Sequence, residues 1–212
     1  MKPMKLKKVS PVGNVKWFKF IQPDQKFKKY SADLIVEDSE ELQKLISELN
    51  EMVEKTLEDN KEELKPAQKK KAKKSEYFPI EEELDGDGNA TGKYVMKFRA
   101  KSEGVRKDDT VYYTQPPMVF KKDGKPYSGE EKKSLQVPNG SEIKVAFNAQ
   151  SYFVKNEAGV SLKPTAALLF KLEQMNSATD FGFSQDEFEQ ADESDHEDFS
   201  SQEESEDNDS DF

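Results

Sequence analysis

The stretch of sequence that decides the fold runs Glu142-Ile143-Lys144-Val145-Ala146-Phe147-Asn148-Ala149-Gln150-Ser151-Tyr152-Phe153-Val154. Its residues alternate in character with a period of two. One set consists of Ile143, Val145, Phe147 and Ala149; the other consists of Lys144, Ala146, Asn148, Gln150 and Tyr152. Because successive side chains of a strand point to opposite faces, this pattern predicts a strand with one face in a core.

Shorter segments with the same period lie on both sides of this strand. In Gly92–Lys101, apolar residues alternate with a mostly basic set that includes Lys97, Arg99 and Lys101. Turn signals such as Asn139-Gly140 separate the segments. The predicted strands are Val15–Ile21, Tyr30–Val36, Gly92–Lys101, Thr110–Thr114, Met118–Phe120, Ser134–Val137, Glu142–Val154 and Ala166–Met175.

One helix interrupts these strands. Apolar residues from Leu42 to Leu57 recur in steps of three and four, which predicts an amphipathic helix over Ser39–Asp59. Asp38 precedes Glu41 by three residues, a spacing typical of a capping box. Short strands with one inserted helix favour a mainly β fold: an OB-fold-like five-stranded antiparallel barrel with one long packed helix. The pattern alone leaves a β-sandwich open.

The charges divide the chain into two parts. Residues 177–212 contain fifteen Asp and Glu and no Lys or Arg, whereas the rest of the chain has 33 basic and 28 acidic residues. The acidic part has too few aliphatic residues to fold and is predicted to be a disordered tail. We therefore expect one OB-fold domain in residues 1–176, with a solvated, mobile basic segment at about 61–75.

Several classes of protein find no support in the sequence. The absence of cysteine excludes disulfides and thiolate metal sites, and no stretch is apolar enough to span a membrane. No nucleophile, phosphate-loop or zinc-protease motif is present, so we expect no catalytic residue, no cofactor and no metal. Asp85–Gly92 imitates a calcium loop but has Ala90 where a glycine is required, so we interpret it as a turn.

The polar face of Glu142–Val154 offers a cation, two amides and an aromatic ring. Single-stranded nucleic acid binds such a surface, with cations on the phosphates and rings on the unstacked bases. The candidate DNA-binding residues are Lys144, Tyr152, Lys97, Arg99, Lys101, Lys28, Lys29 and Trp17. The alternative for each is ordinary: charged strand faces are usually only solvated, and tryptophan is more often in the core.

The tail carries isolated phenylalanines among its acids. A ring surrounded by acidic residues is typical of a peptide that docks into a basic-rimmed pocket. The candidate partner-binding residues are Asp207, Asp209, Asp211 and Phe212.

The order of these segments resembles the single-stranded DNA-binding proteins of the T-seven-like podophages. The resemblance rests on Pro23-Asp24 with Tyr30–Leu34, the long helix, Gly88-Asn89 with Lys93–Ser102, Gly140–Tyr152 followed by Gly159–Leu172, and the acidic end Asp209–Phe212. It implies an OB-fold core, a homodimer, and a tail that both occupies the DNA groove and recruits the phage DNA polymerase and primase-helicase. It also implies that Lys144 and Tyr152 contact DNA, whereas Ala146 stands where the family has a basic residue.

The function predicted from residues and resemblance together is non-enzymatic binding of single-stranded DNA. The protein would act in phage replication, recombination and repair, in the cytoplasm of the infected bacterial host, coating strands, removing secondary structure and promoting annealing. The alternative is an acidic-tailed chaperone of basic, histone-like proteins, which predicts an acidic body. A calcium-dependent module rests only on the imperfect Asp85 loop.

Overall fold

A computed structural model describes residues 3–174 of the chain. The predicted tail, including Asp207, Asp209, Asp211 and Phe212, lies outside the described residues. In chain order the elements are β1 (Lys5–Val9), β2 (Gly13–Lys16), β3 (Lys29–Glu37), α1 (Glu40–Glu63), α2 (Pro66–Lys69), β4 (Lys73–Lys74), β5 (Ile80–Leu84), β6 (Ala90–Lys101), β7 (Glu103–Val105), β8 (Val111–Tyr113), β9 (Met118–Phe120), α3 (Gly129–Ser134), β10 (Glu142–Val154) and β11 (Glu157–Lys171).

Five of these strands close into a barrel in the order β10-β2-β3-β6-β11, with β11 returning to β10. β10 and β11 form a long antiparallel hairpin, from the pair Glu142↔Lys171 to the pair Val154↔Glu157. The last contact of the barrel is parallel and pairs Leu162 of β11 with Phe98 of β6. The prediction of a mainly β, OB-fold-like barrel is confirmed, and its other four strand pairings are antiparallel as expected.

The core lies inside the barrel and follows the alternation of β10. Ile143, Val145 and Phe147 are fully buried, as the period of two predicts. The rings of Phe98 and Phe147 pack 5.3 Å apart between centroids and join the two strands across the barrel. Because β10 also pairs with β1 along its other edge, its outer face forms part of a sheet that is wider than the barrel.

The predicted long helix is confirmed, and α1 continues to Glu63 before Leu64 and the approach to Pro66 end it. Its apolar stripe, which includes Leu42, Leu45, Leu49 and Val53, is buried against β10 and β11. The predicted cap is wrong by one residue. Ser39 is the N-cap, and its Oγ accepts the N–H of Leu42, whereas Asp38 Oδ1 accepts a bond from the side chain of Gln43.

Three strand predictions are wrong in part or in full, and one of them, Ala166–Met175, begins nine residues after the start of β11 (Glu157–Lys171). β2 ends at Lys16 because Trp17 has a φ of 56°, in the left-handed region, so Val15–Ile21 is not one strand. Ser134–Val137 is not a strand either. A capping box between Ser128 and Glu131 begins the short helix α3, which ends at Ser134.

The basic segment 61–75 and the calcium-loop-like segment after Leu84 both form regular structure. Within the basic segment 61–75, β4 pairs in parallel with the first residues of β11, and Ala72 is buried. Asp85 is the centre of a turn, where its carboxylate accepts the backbone N–H groups of Asp87 and Asn89. Within residues 3–174, no helix is both long and apolar enough to cross a membrane.

Candidate nucleic-acid interface

The register of the barrel collects basic side chains on one outer face. Lys29 of β3 lies opposite Lys101 of β6. Lys163 of β11 lies opposite Asn148 of β10, and Lys5 of β1 lies opposite Gln150 one row further along. Residues that are distant in the sequence therefore meet where β3, β6, β11 and β10 lie side by side.

A groove of about 300 Å³ lies on this face, and we call it the basic groove. It is lined by Lys29, Arg99, Ala100, Lys101, Tyr112, Thr114, Ser161 and Lys163. β6 and β11 supply its floor, and Tyr112, on the hairpin of β7 and β8, supplies an aromatic wall.

The lysines of the basic groove, and Lys5 near them, have no acidic partner within the part of the chain described. Lys5, Lys29, Lys101 and Lys163 form no ion pair with any of residues 3–174. Partial burial lowers the pKa of Lys163, and the nearby charges of Lys5 and Lys101 lower it further. Neighbouring cations repel one another, and an anion bound between them relieves this repulsion. The cluster therefore favours binding of a phosphate group.

Two of the predicted cations are already paired. Arg99 forms an ion pair with Asp33, at 2.5 Å between Nη2 and Oδ1, and donates from Nη1 to the carbonyls of Ala32 and Phe98. Lys97 is paired with Glu81. Arg99 borders the basic groove, but much of its charge is neutralised by Asp33, so the unpaired lysines contribute more positive potential there.

Tyr152 lies flat against the outer face of β11. Its partner in the register is Gly159, and its ring covers the position that a side chain at Gly159 would occupy. Tyr77 is close enough to Tyr152, Arg99 and Lys97 for their charges to affect its pKa. Burial is the main effect and raises the pKa of Tyr77, whereas the positive charges of Arg99 and Lys97 lower it. Aromatic rings therefore lie on the same outer face as the lysines.

The other predicted residues lie at different distances from the basic groove. Lys29 and Lys101 line it, and Lys28, whose carbonyl accepts the N–H of Ser102, immediately precedes Lys29. Lys144 shares the outer face of β10 with Tyr152, but eight residues separate the two, roughly 27 Å along an extended strand. Lys144 is not among the residues that line the groove.

Trp17 is also outside the basic groove. It is 64% exposed and follows the end of β2, where its backbone N–H donates to Asn139 Oδ1 over 2.9 Å. The ordinary alternative, a tryptophan in the core, is therefore wrong.

Sequence reasoning missed three residues of this face: Lys5, Lys163 and Tyr112. Lys163 was overlooked because the last strand was predicted to begin at Ala166, whereas β11 begins at Glu157. The adjacent tyrosines Tyr112 and Tyr113 were a usable signal, since the alternation of a strand must direct one of them toward the barrel.

Several solved structures of bacteriophage proteins are similar to this chain. The chain is similar to gp2.5, a single-stranded DNA-binding protein encoded by bacteriophage T7, with a TM-score of 0.64, 17% identity, and coverage of 95% of this chain and 100% of that chain. The chain shares the fold of this phage protein. The resemblance seen in the sequence is thereby confirmed at the level of the fold.

Two structures of the single-stranded DNA-binding protein from bacteriophage Enc34 are also similar. A C-terminally truncated form has a TM-score of 0.53 and 14% identity, covering 82% of this chain and 98% of that chain. A complex with single-stranded DNA has a TM-score of 0.50 and 15% identity, covering 83% of this chain and 90% of that chain. No family model and no curated protein sequence matches the chain.

Proposed function

We propose that this protein binds single-stranded DNA, with the basic groove holding the strand. One observation carries the proposal: three lysines without acidic partners in residues 3–174 line a groove whose wall is a tyrosine, and a fourth, Lys5, lies close to Lys163. The shared fold supports it, since the similar phage proteins are described as single-stranded DNA-binding and one was solved with that ligand. The chaperone alternative requires an acidic surface, which a groove lined by lysines does not offer.

In the proposed mechanism, lysines bind the phosphates and tyrosines stack on the bases. Lys29, Lys101 and Lys163 neutralise phosphates and release counterions, which gives affinity without sequence preference. Tyr112 and Tyr152 stack on bases, which only an unpaired strand can offer, because the bases of a duplex are stacked on one another. The rings therefore supply the preference for single strands and the lysines supply most of the attraction.

The biological role follows from that preference. A protein that binds only the open strand shifts a hairpin toward its melted form by mass action. We infer that the protein removes secondary structure and promotes annealing in phage DNA replication, recombination and repair, inside the infected host. The proposed form is a non-enzymatic homodimer with its DNA-binding domain in residues 1–176.

We propose that the acidic tail, residues 177–212, recruits partner proteins. Fifteen acidic residues within 177–212 attract basic surfaces over about one Debye length, which is roughly 8 Å at physiological salt, and they raise association rates. A ring such as Phe212 can instead fill one specific pocket. In this proposal Asp207, Asp209 and Asp211 steer the approach of the phage DNA polymerase and primase-helicase, and Phe212 anchors them.

The first test compares oligo-dT with duplex DNA of equal length over a series of salt concentrations. We expect tighter binding to oligo-dT, and an affinity whose logarithm falls with log salt at a slope of about −0.7 for each phosphate neutralised. Fluorescence anisotropy of labelled DNA measures both quantities. An affinity that does not change with salt, or a preference for the duplex, contradicts the proposal.

The second test removes Phe212 alone. Because no side-chain charge is lost, we expect oligo-dT affinity to stay within twofold while partner binding weakens by about 2 kcal/mol or more, as truncated aromatic anchors commonly show. Calorimetric titration against the cognate polymerase and helicase measures the loss. The matched control is Phe181→Ala, a phenylalanine at the other end of the tail. Equal partner binding by wild type and the Phe212 deletion would leave the tail with a purely electrostatic role.

A further inference from the structure

Two glycines on the described surface lie beneath tyrosine rings. Gly159 in β11 pairs with Tyr152 in β10, and Gly104 in β7 pairs with Tyr112 in β8. A methyl group at Gly104 would lie 2.5 Å from Tyr112 Cζ, and one at Gly159 would lie 2.9 Å from Tyr152 Cε2. Both distances are well inside the optimal separation of about 3.5–4.0 Å between carbons.

The backbone conformation does not require a glycine at position 104 or at position 159. Neither Gly104 nor Gly159 has a positive φ, whereas Gly88, Gly92, Gly124 and Gly140 do. Any residue can therefore adopt the conformation that these two have, and glycine inside a strand weakens it because it packs no side chain. What the two positions share is the ring above them.

Both rings lie beside the basic groove. Tyr112 lines it together with Ser161 and Lys163. Gly159, under Tyr152, is on the same face of β11 as those two residues, and four residues of strand from Gly159 to Lys163 span about 13 Å. A single strand that follows β11 from Gly159 to Lys163 thus passes the ring of Tyr152 and then reaches the basic groove, which contains both Tyr112 and the lysines.

We propose that Gly104 and Gly159 are positioning residues that hold Tyr112 and Tyr152 flat on the strands beneath them as two base-stacking platforms, one in the basic groove and one further along β11. A ring lying flat exposes its opposite face to an incoming base, whereas a side chain at the glycine lifts the ring and turns its edge outward. The inference rests on the proposed function, because it specifies how that binding site recognises unpaired bases.

The test uses oligo-dT and an abasic oligonucleotide of the same length, which has the phosphates but no bases. Stacking contributes only to the first, so the ratio of the two affinities isolates the rings from the lysines. We expect Tyr112→Ala and Tyr152→Ala each to lower that ratio by roughly 5- to 150-fold. Affinity for the abasic strand should stay within twofold, and Tyr152→Phe should keep the wild-type ratio.

The glycine variants supply the decisive comparison. We expect Gly104→Ala and Gly159→Ala to lower the ratio although both tyrosines remain, with unchanged affinity for the abasic strand. Two controls should keep the wild-type ratio. Gly86→Ala adds a methyl group to a turn with open space around it. Tyr113→Ala removes the neighbouring ring, which is 77% exposed and on the other face of the hairpin.

Each outcome has a defined meaning. A wild-type ratio in both glycine variants overturns the positioning role, and a wild-type ratio in both tyrosine-to-alanine variants shows that the rings are not platforms. Equal affinity of the wild-type protein for both oligonucleotides overturns the inference while leaving phosphate-driven binding intact. Absence of binding to either oligonucleotide refutes the proposed function itself. Should one glycine variant fail to fold, as a thermal melt would show, the other decides the positioning role, and a wild-type ratio in that variant overturns it.

Discussion

Reversing the charge of Lys101 and Lys163 together is expected to weaken binding of oligo-dT by about 100-fold or more, because like charges brought together cost several kcal/mol. These lysines line the basic groove from different strands, β6 and β11. The double variant Lys101→Glu/Lys163→Glu removes two cations and places two anions against the phosphates. The two new carboxylates repel each other as the two lysines do, but each gains a neighbouring cation, Lys5 for position 163 and Lys29 for position 101, so we expect little change in the stability of the folded domain.

Anisotropy titrations at several salt concentrations measure this effect. Loss of two phosphate contacts should make the slope of log affinity against log salt shallower by about 1.4, at about 0.7 for each phosphate on a single strand. The matched control is Lys122→Glu/Lys125→Glu, which changes the net charge equally in the exposed turn after β9. If both double variants weaken binding by the same factor, net charge and not the basic groove determines affinity.

Replacing Phe98 with alanine is expected to lower the free energy of unfolding by about 3–5 kcal/mol, the cost typical of a buried phenylalanine. Phe98 is fully buried, packs on Phe147, and is the residue of β6 that pairs with Leu162 where the barrel closes. The cavity would therefore lie at the closure of the barrel, where few other contacts join β6 and β11 through the backbone.

Urea denaturation followed by circular dichroism measures the loss, and Leu84→Ala is the control. Leu84 is a large apolar residue of β5 that is 59% exposed, so its truncation should change stability by no more than about 0.5 kcal/mol. A Phe98→Ala protein as stable as the control would mean that the core does not depend on this ring. Oligo-dT affinity should fall in proportion to the unfolded fraction, since Phe98 does not line the groove.

Local patterns were enough to predict most of the elements. The alternation in Glu142–Val154 predicted β10 to the residue, and steps of three and four predicted α1 to within four residues. These succeeded because each face of a strand or stripe of a helix records in its own sequence whether it meets a core or water. Two predictions failed where one residue overrode the pattern: Trp17 with its left-handed φ, and Ser128 with its capping box. The strands β1, β5 and β7 and the first half of β11 were not predicted at all, because their alternation is too weak or too short to recognise.

The candidate site was likewise predicted in part from the sequence. Charge counting identified a basic body, and the period of β6 identified Lys97, Arg99 and Lys101 as an outward row. The sequence could not show that Asp33 and Glu81 lie beside Arg99 and Lys97, because those carboxylates come from other strands. It also could not show that Lys101 remains without an acidic partner in residues 3–174.

Features that depend on neighbours within a few residues could be predicted from the sequence: the strands β3, β6 and β10, the helix α1, the acidic composition of residues 177–212 and an outward basic face. Which cations lie together depends on the tertiary fold, since strand register and barrel closure bring Lys29, Lys101 and Lys163 into one groove and Lys5 close to Lys163. The tertiary fold likewise decided that Tyr112 and Tyr152 lie over glycines. Pairing across a barrel joins residues far apart in the chain, and no local periodicity encodes which strand will lie beside which.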